Sequence, residues 1–492
     1  MISKESASTI NARFLKSAFT KISLGRSDAD VLRWLSEQSA ATAVRVSQTT
    51  FSQLRQWRLD DNKRALRHES GRFFSIEGIR VETDYGAKTS WDQPIINQPE
   101  IGYLGCITKE FNGVLHFLLQ AKIEPGNINN VQLSPTLQAT RSNFSQVHKG
   151  KKPLYLEYFQ QAEPHQILLD QLQSEQGARF LRKRNRNIVI QVDHDVPLAE
   201  NHIWLTLGQI KSLMTNSHVI NMDTRTVIAG LPYGTADHET ISLICHLRHS
   251  DQRTISDEFL VSTLSEETPL NSINDIISKI THFKSLYQIN ISKVGLTNLE
   301  EWNFQDREIY RPDRMFFRVI PVEVEIGNRE VVSWDQPMIE PAQEGLCAFV
   351  CKRIQGVLHI AMQLKLECGN HDVVELAPTV QTLTGDYKKV QPGTIPFLDY
   401  VIHAPSDNFV FDTLQSEEGG RFFKEQNRNV IAIIPDTLEH SDPKIYSYVQ
   451  PYLDTTPPNF IWMTLKQLSV FIQFNNYLNI QARSLIAAVP LA

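Results

Sequence analysis

Cysteine is scarce in this chain and odd in number: five residues, at 106, 245, 347, 351 and 368, with no paired CxxC spacing. That argues against a disulfide frame or a structural zinc site and fits thiols kept reduced in a cytoplasm. Long apolar runs are missing too. No window approaches the roughly 20 residues of a membrane span, and the opening MISKESASTINARFLKSAF has no apolar stretch suited to a signal peptide. A soluble, cytoplasmic protein without a membrane partner is expected. Neither charge sign dominates, since 49 Lys and Arg stand against 55 Asp and Glu, so a general nucleic-acid partner is not expected. The signatures GxxxxGK(S/T), GxGxxG after a strand, GxSxG and HExxH are absent, and the carboxylates show no recognisable metal-ligand spacing. The chemistry is therefore expected to need no bound cofactor and no dedicated metal.

What the chain does contain is a second copy of itself. His116 and His359 lie 243 positions apart. The same offset carries SWDQP at 90–94 onto SWDQP at 333–337, and VQLSPTLQ at 131–138 onto VELAPTVQ at 374–381. With small shifts LQSEQGARF at 172–180 falls on LQSEEGGRF at 414–422, IWLTL at 203–207 on IWMTL at 461–465, and Phe51, Leu54 and Trp57 on Leu296, Leu299 and Trp302. This period is far beyond solenoid repeats, and 492 residues exceed one ordinary core. The predicted organisation is an N-terminal extension (1–27), copy one (28–235), a connector (236–271) and copy two (272–492).

In copy one, periodicity predicts an opening helix at DADVLRWLSEQ, β segments around 72–83, 101–124 and 131–141, a helix over about 165–184, a strand at NIVIQV and a last helix at TLGQIKSLMTN. Copy two repeats the order. Strands followed by packed helices, without strict alternation, indicate an α+β domain with a mixed or antiparallel sheet.

Two stretches carry chemistry. GVLHFLLQAKIEPGN at 113–127 and GVLHIAMQLKLECGN at 356–370 put His116, Gln120, Lys122 and Glu124 in one row of an extended strand, matched by His359, Lys365 and Glu367. The polar row is identical between copies while the apolar row drifts, which favours a pocket face over a solvated one. An imidazole, an ammonium and a carboxylate can supply base, electrophile and charge balance. In SEQGARFLRKRNRN, helical spacing would align Arg179, Arg182 or Lys183, and Arg186 as a fork for phosphate oxygens. Copy two keeps Arg421 and Arg428 but reads Lys424, Glu425 and Gln426 where copy one reads Arg182, Lys183 and Arg184. Further candidates are the stacking side chains Trp91 and Trp334, and the polar groups Thr136, Gln138, Arg141, Ser142, Asn143, His148, Tyr155, Glu157 and Tyr158. Each has a structural reading beside the binding one.

The segments SWDQP, QAKIEPGN, VQLSPTLQATRSNF, YLEYF and LQSEQGARFLRKRNRN resemble those of the nucleotide-sugar (NDP-hexose) 2,3-dehydratases, over about 30–490. The resemblance implies two Nudix-like α+β domains and a homodimer acting on a dTDP-linked 4-keto-6-deoxyhexose. It implies loss of water across C2 and C3, with a 3-ketoreductase consuming the product. The metal-binding signature GX5EX7REUXEEXGU of true Nudix hydrolases is absent; SEEGG at 416–420 matches only its tail. On this basis His116 and Glu124 are assigned the proton transfers, Lys122 the enolate, and Arg179, Arg182, Arg184 and Arg186 the pyrophosphate. Copy one is the expected catalytic site and copy two a degenerate pocket or dimer scaffold. A non-catalytic nucleotide-sugar binding protein is the alternative.

Overall fold

The computed structural model describes residues 7–60, 62, 64–140, 152–233, 253–265, 269–327, 332–383 and 386–491. Among them the duplicated sequence forms two seven-stranded and two five-stranded sheets with helices packed against them, a mixed α+β architecture. Each large sheet comes from one copy. In copy one the order is Ile167–Ser174, Arg184–Gln191, Gly102–Phe111, Val114–Ile123 and His202–Leu205, with Val131–Pro135 and Leu137–Ala139 paired to the middle strands. Arg184–Gln191 runs parallel to Gly102–Phe111, and the other pairs are antiparallel. Copy two repeats this order with Phe409–Ser416, Gln426–Ile434, Gly345–Ile354, Val357–Lys365 and Phe460–Met463.

The small sheets mix the copies. Ile289–Val294 of copy two pairs with Ser75–Thr83 of copy one, and Val44–Gln48 of copy one pairs with Phe317–Ile326 of copy two. The turn after each exchanged strand is carried with it. Phe51, Leu54 and Trp57 therefore share one core with Leu296, Leu299 and Trp302. The SWDQP motif explains why the exchange is specific. Asp335 accepts from the Arg55 backbone N–H at 2.9 Å, and Asp92 from that of Glu300 at 2.9 Å. Trp57 Nε1 donates to the Asp335 carbonyl and Trp302 Nε1 to the Asp92 carbonyl, each at 2.8 Å. Burying an indole this way satisfies its single donor.

Two expectations change. The span 165–184 is not a helix: it is strand Ile167–Ser174, a loop, and the start of strand Arg184–Gln191. Burial alternates along the first strand, but Gln171 and Gln173 occupy buried positions, so no apolar period of two is visible. Gln173 Nε2 pays for burial with bonds to the Ile472 carbonyl at 2.8 Å and Gln171 Oε1 at 2.9 Å. The second change concerns the predicted extension and connector. Helix Ala7–Phe19 and helix Ile255–Leu264 are counterparts: Ser17 Oγ donates to the Leu115 carbonyl, and Ser262 Oγ to the Leu358 carbonyl, both at 2.6 Å. The structural repeat thus begins one helix upstream of each copy's opening helix. No helix among the described residues is long and apolar enough to cross a membrane. Cys106, Cys347, Cys351 and Cys368 are buried and unpaired, while Cys245 lies outside the described residues.

Candidate active site

Strand Val114–Ile123 sends Leu115, Phe117, Leu119, Ala121 and Ile123 into the main core, as alternation predicts. Its other face does not form one pocket. Six residues of strand separate His116 from Lys122 by about 20 Å. His116 is buried, its Nδ1 donates to the Val114 carbonyl at 2.8 Å, and its ring meets Phe111 edge-on at 5.2 Å. His359 repeats this with the Val357 carbonyl at 2.9 Å, and its Nε2 accepts from the Leu270 N–H at 3.0 Å. These histidines lock hairpins. Gln120 Nε2 likewise donates to the Pro135 carbonyl at 2.8 Å.

The far end of the strand opens on a cavity of about 200 Å³, lined by both copies. Copy one contributes Lys122, Glu124, Gln138, Glu175, Lys183 and Asp223; copy two contributes Trp334, Glu418 and Arg421. Lys122 Nζ donates to the Gln138 carbonyl at 3.1 Å, and Gln138 Nε2 to Glu124 Oε1 at 2.8 Å. Asn221, the cap of helix Met222–Ala229, ties Ser134 at 2.7 Å and delivers Asp223 in the first turn. Copy two enters through a clasp. Gly126 N donates to the Gly419 carbonyl at 2.7 Å, and Lys424 N to the Gly126 carbonyl at 2.8 Å. A Cβ at position 126 would lie 1.7 Å from the Phe422 carbonyl oxygen, so the EPGN turn requires glycine for this approach.

Charge is concentrated here. Burial raises the Asp223 carboxyl well above its ordinary value, and the neighbouring Glu175, Glu124 and Glu418 raise it further. Burial also raises Glu418 to about 8, with Glu124 adding to it and Arg421 opposing. Glu175 is raised by burial against the pull of Lys183 and Arg483. Lys183 is lowered by burial to about 8. Glu175 Oε2, Asp223 Oδ1 and Glu418 Oε2 are buried without a hydrogen-bond partner. Carboxyls crowded in this way cannot all ionise, so the cluster retains protonated carboxyl groups that can act as acids. Arg421 lies over the Phe74 ring at 4.2 Å and reaches Gln98 Oε1 at 3.2 Å.

The remaining predicted residues scatter. Arg179 is the repeat counterpart of Arg421 and lies over Phe317 at 4.2 Å, among Glu425, Glu367 and Glu417 on the copy-two side. Arg186 pairs with Asp170 at 2.7 and 2.6 Å, and Arg428 with Asp412 at 2.8 and 2.7 Å, each between adjacent strands. Arg182 sits in the loop at φ +50°, and Arg184 begins the following strand. The predicted arginine fork is therefore not formed, because loop and strand replace the helix. Trp334 lines the cavity, whereas Trp91 packs beside Cys368. Thr136 is spent inside the sheet, accepting from Ile107 N at 2.9 Å and donating to the Leu118 carbonyl. Tyr155 bonds the Pro197 carbonyl at 2.7 Å, Tyr158 stacks on His194, and Glu157 pairs with Lys152. Arg141, Ser142, Asn143 and His148 lie outside the described residues.

Copy two keeps the base of the arrangement: Lys365 Nζ donates to the Gln381 carbonyl at 3.4 Å, and Gln381 Nε2 to Glu367 Oε1 at 3.0 Å. Around it, however, Glu425 stands where copy one has Lys183, Gln481 where it has Asp223, and Gln176 where it has Glu418. Glu175, Asp223 and Glu418 escaped sequence reasoning, and Arg421 was assigned to the other pocket. For Glu418 the available signal was the SEQ and SEE difference at 174–176 and 416–418, where a carboxylate replaces an amide; for Asp223 it was the Gln481 counterpart, while Glu175 is matched by Glu417 and gave none.

Comparison with known proteins agrees with the duplication. The dTDP-4-dehydro-6-deoxy-α-D-glucopyranose 2,3-dehydratase of Saccharopolyspora spinosa is 40% identical over 93% of this chain and 90% of its own length. The enzyme of the same description from Amycolatopsis orientalis is 37% identical over 98% of this chain and 94% of its own length. That from Streptomyces violaceoruber is 37% identical over 93% and 95%. The NDP-hexose 2,3-dehydratase profile matches residues 28–231 and 273–489, one segment in each copy, and the chain belongs to that family.

Proposed function

We propose that this enzyme removes water across C2 and C3 of dTDP-4-keto-6-deoxy-D-glucose, giving the 3,4-diketo-2,6-dideoxy sugar, and does so in the copy-one cavity. The observation that carries this reading is the set of unpartnered buried carboxyl oxygens beside Lys122 and Arg421. The C4 ketone acidifies the proton on C3, and Glu124 takes it as general base. Lys122 balances the enolate that develops at O4. Arg421 faces the pyrophosphate, with the aromatic wall of Trp57, Phe73 and Phe74 beyond it for the base. The substrate assignment also draws on the names of the relatives. His116 has no part in proton transfer in this scheme, because its hairpin holds it about 20 Å from Lys122 along the strand. Copy two is the degenerate pocket. Each copy is a Nudix-like domain, the assembly is a homodimer, and a 3-ketoreductase follows in the sequence of reactions.

The test is incubation of the purified chain with dTDP-4-keto-6-deoxyglucose and a 3-ketoreductase to trap the product, read by mass spectrometry. Loss of one water with the nucleotide intact is expected. Unchanged substrate would favour a binding protein, and released nucleoside monophosphate a hydrolase; either sinks the proposal.

A further inference from the structure

We infer that Glu418, contributed by copy two, is the general acid that protonates the C2 hydroxyl as it leaves in the copy-one cavity. This rests on the dehydratase reading above. Glu418 Oε1 is held by the Gly420 N–H at 3.0 Å, which leaves Oε2 buried and unpartnered in the cavity wall. Glu418 Oε1 and Glu124 Oε1 both lie against Gly420, so acid and base flank one small space. The repeat supplies an internal control: the counterpart of Glu418 is Gln176, whose amide is hydrogen-bonded to Glu417 and has no acidic proton to give. Burial and the charge of Glu124 keep the Glu418 carboxyl protonated near neutral pH, against Arg421, with Glu175 and Asp223 also facing it.

The proton cycle closes without a co-reactant. Glu124 takes the C3 proton, forming the C3–C4 enolate. The C2–O bond then breaks, O2 leaves as water with the Glu418 proton, the C4 carbonyl re-forms, and a C2–C3 enol remains. The enol O3–H proton passes to the Glu418 carboxylate as C3 becomes a ketone, and the Glu124 proton goes to C2. Both groups return to their starting states, and one substrate yields one product and one water.

The full chain carrying Glu418→Gln is assayed with dTDP-4-keto-6-deoxyglucose in D₂O. A kcat loss of about 100-fold or more is expected, with KM within about threefold and deuterium still entering C3. Gln176→Glu is expected to change neither. Turnover of Glu418→Gln within about threefold of wild type, or loss of C3 exchange together with elimination, overturns the assignment. Should Glu418→Gln not fold, Glu418→Asp decides: slower elimination with intact exchange supports it, and both lost or neither changed overturns it. Failure of the wild-type chain to dehydrate the substrate would refute the underlying reading instead.

Discussion

His116 makes its Nδ1 hydrogen bond inside its own hairpin, while its buried Nε2 has no hydrogen-bond partner among the described residues. With Nδ1 donating to the Val114 carbonyl and the ring packed on Phe111, replacing it removes a hydrogen bond and an aromatic contact but nothing from the cavity. His116→Ala should therefore destabilise the fold by about 1–3 kcal/mol, as expected for a buried carbonyl losing its donor, while leaving kcat and KM within about twofold. Urea unfolding and steady-state kinetics on the same preparation check this. The row identical in both copies was legible as constrained, and Lys122 and Glu124 were found by it. It did not reveal that one end of the row is held by hairpin geometry and the other by a cavity, since both demand the same residues.

At the scale of elements, the EPGN turn and the SEEGGRF loop work as one clasp. Gly126→Ala would place a methyl against the Phe422 carbonyl, and Gly369→Ala against that of Phe180 at 1.8 Å, so each should cost about 3 kcal/mol or more, at or above ordinary overpacking. Only the first clasp delivers Glu418 and Arg421 to the cavity. Thermal melts should show comparable losses for the two variants, while turnover per folded molecule should fall much further for Gly126→Ala. Equal activity losses would contradict the assignment of the working site to copy one. The strands at 75–83, 102–111 and 114–123 were legible as the β segments expected around 72–83 and 101–124. Ile167–Ser174 was not, because its buried positions are glutamines whose hydrogen bonds, rather than apolarity, permit burial.

For the whole molecule, the reciprocal strand exchange makes each copy incomplete without the other, and the buried carboxyls couple its stability to pH. Burial raises the Glu418 carboxyl to about 8 in the folded state, above its ordinary value of about 4.5. Below about 4.5 both states are protonated; between 4.5 and 8 the unfolded chain ionises first, so this group's contribution to stability falls as pH rises. A glutamine there stays neutral, so the melting temperature of Glu418→Gln relative to wild type should climb from pH 5 to pH 8. A flat or falling difference would refute the raised pKa. The sequence alone determined the duplication, the α+β class, the family and the Lys122 and Glu124 pair, because these are written in local order and spacing. Tertiary structure alone decided that the cavity joins Glu124, Glu175 and Asp223 to Glu418 and Arg421. That juxtaposition depends on which strands exchange and where a glycine lets two backbones touch, contacts between residues hundreds of positions apart.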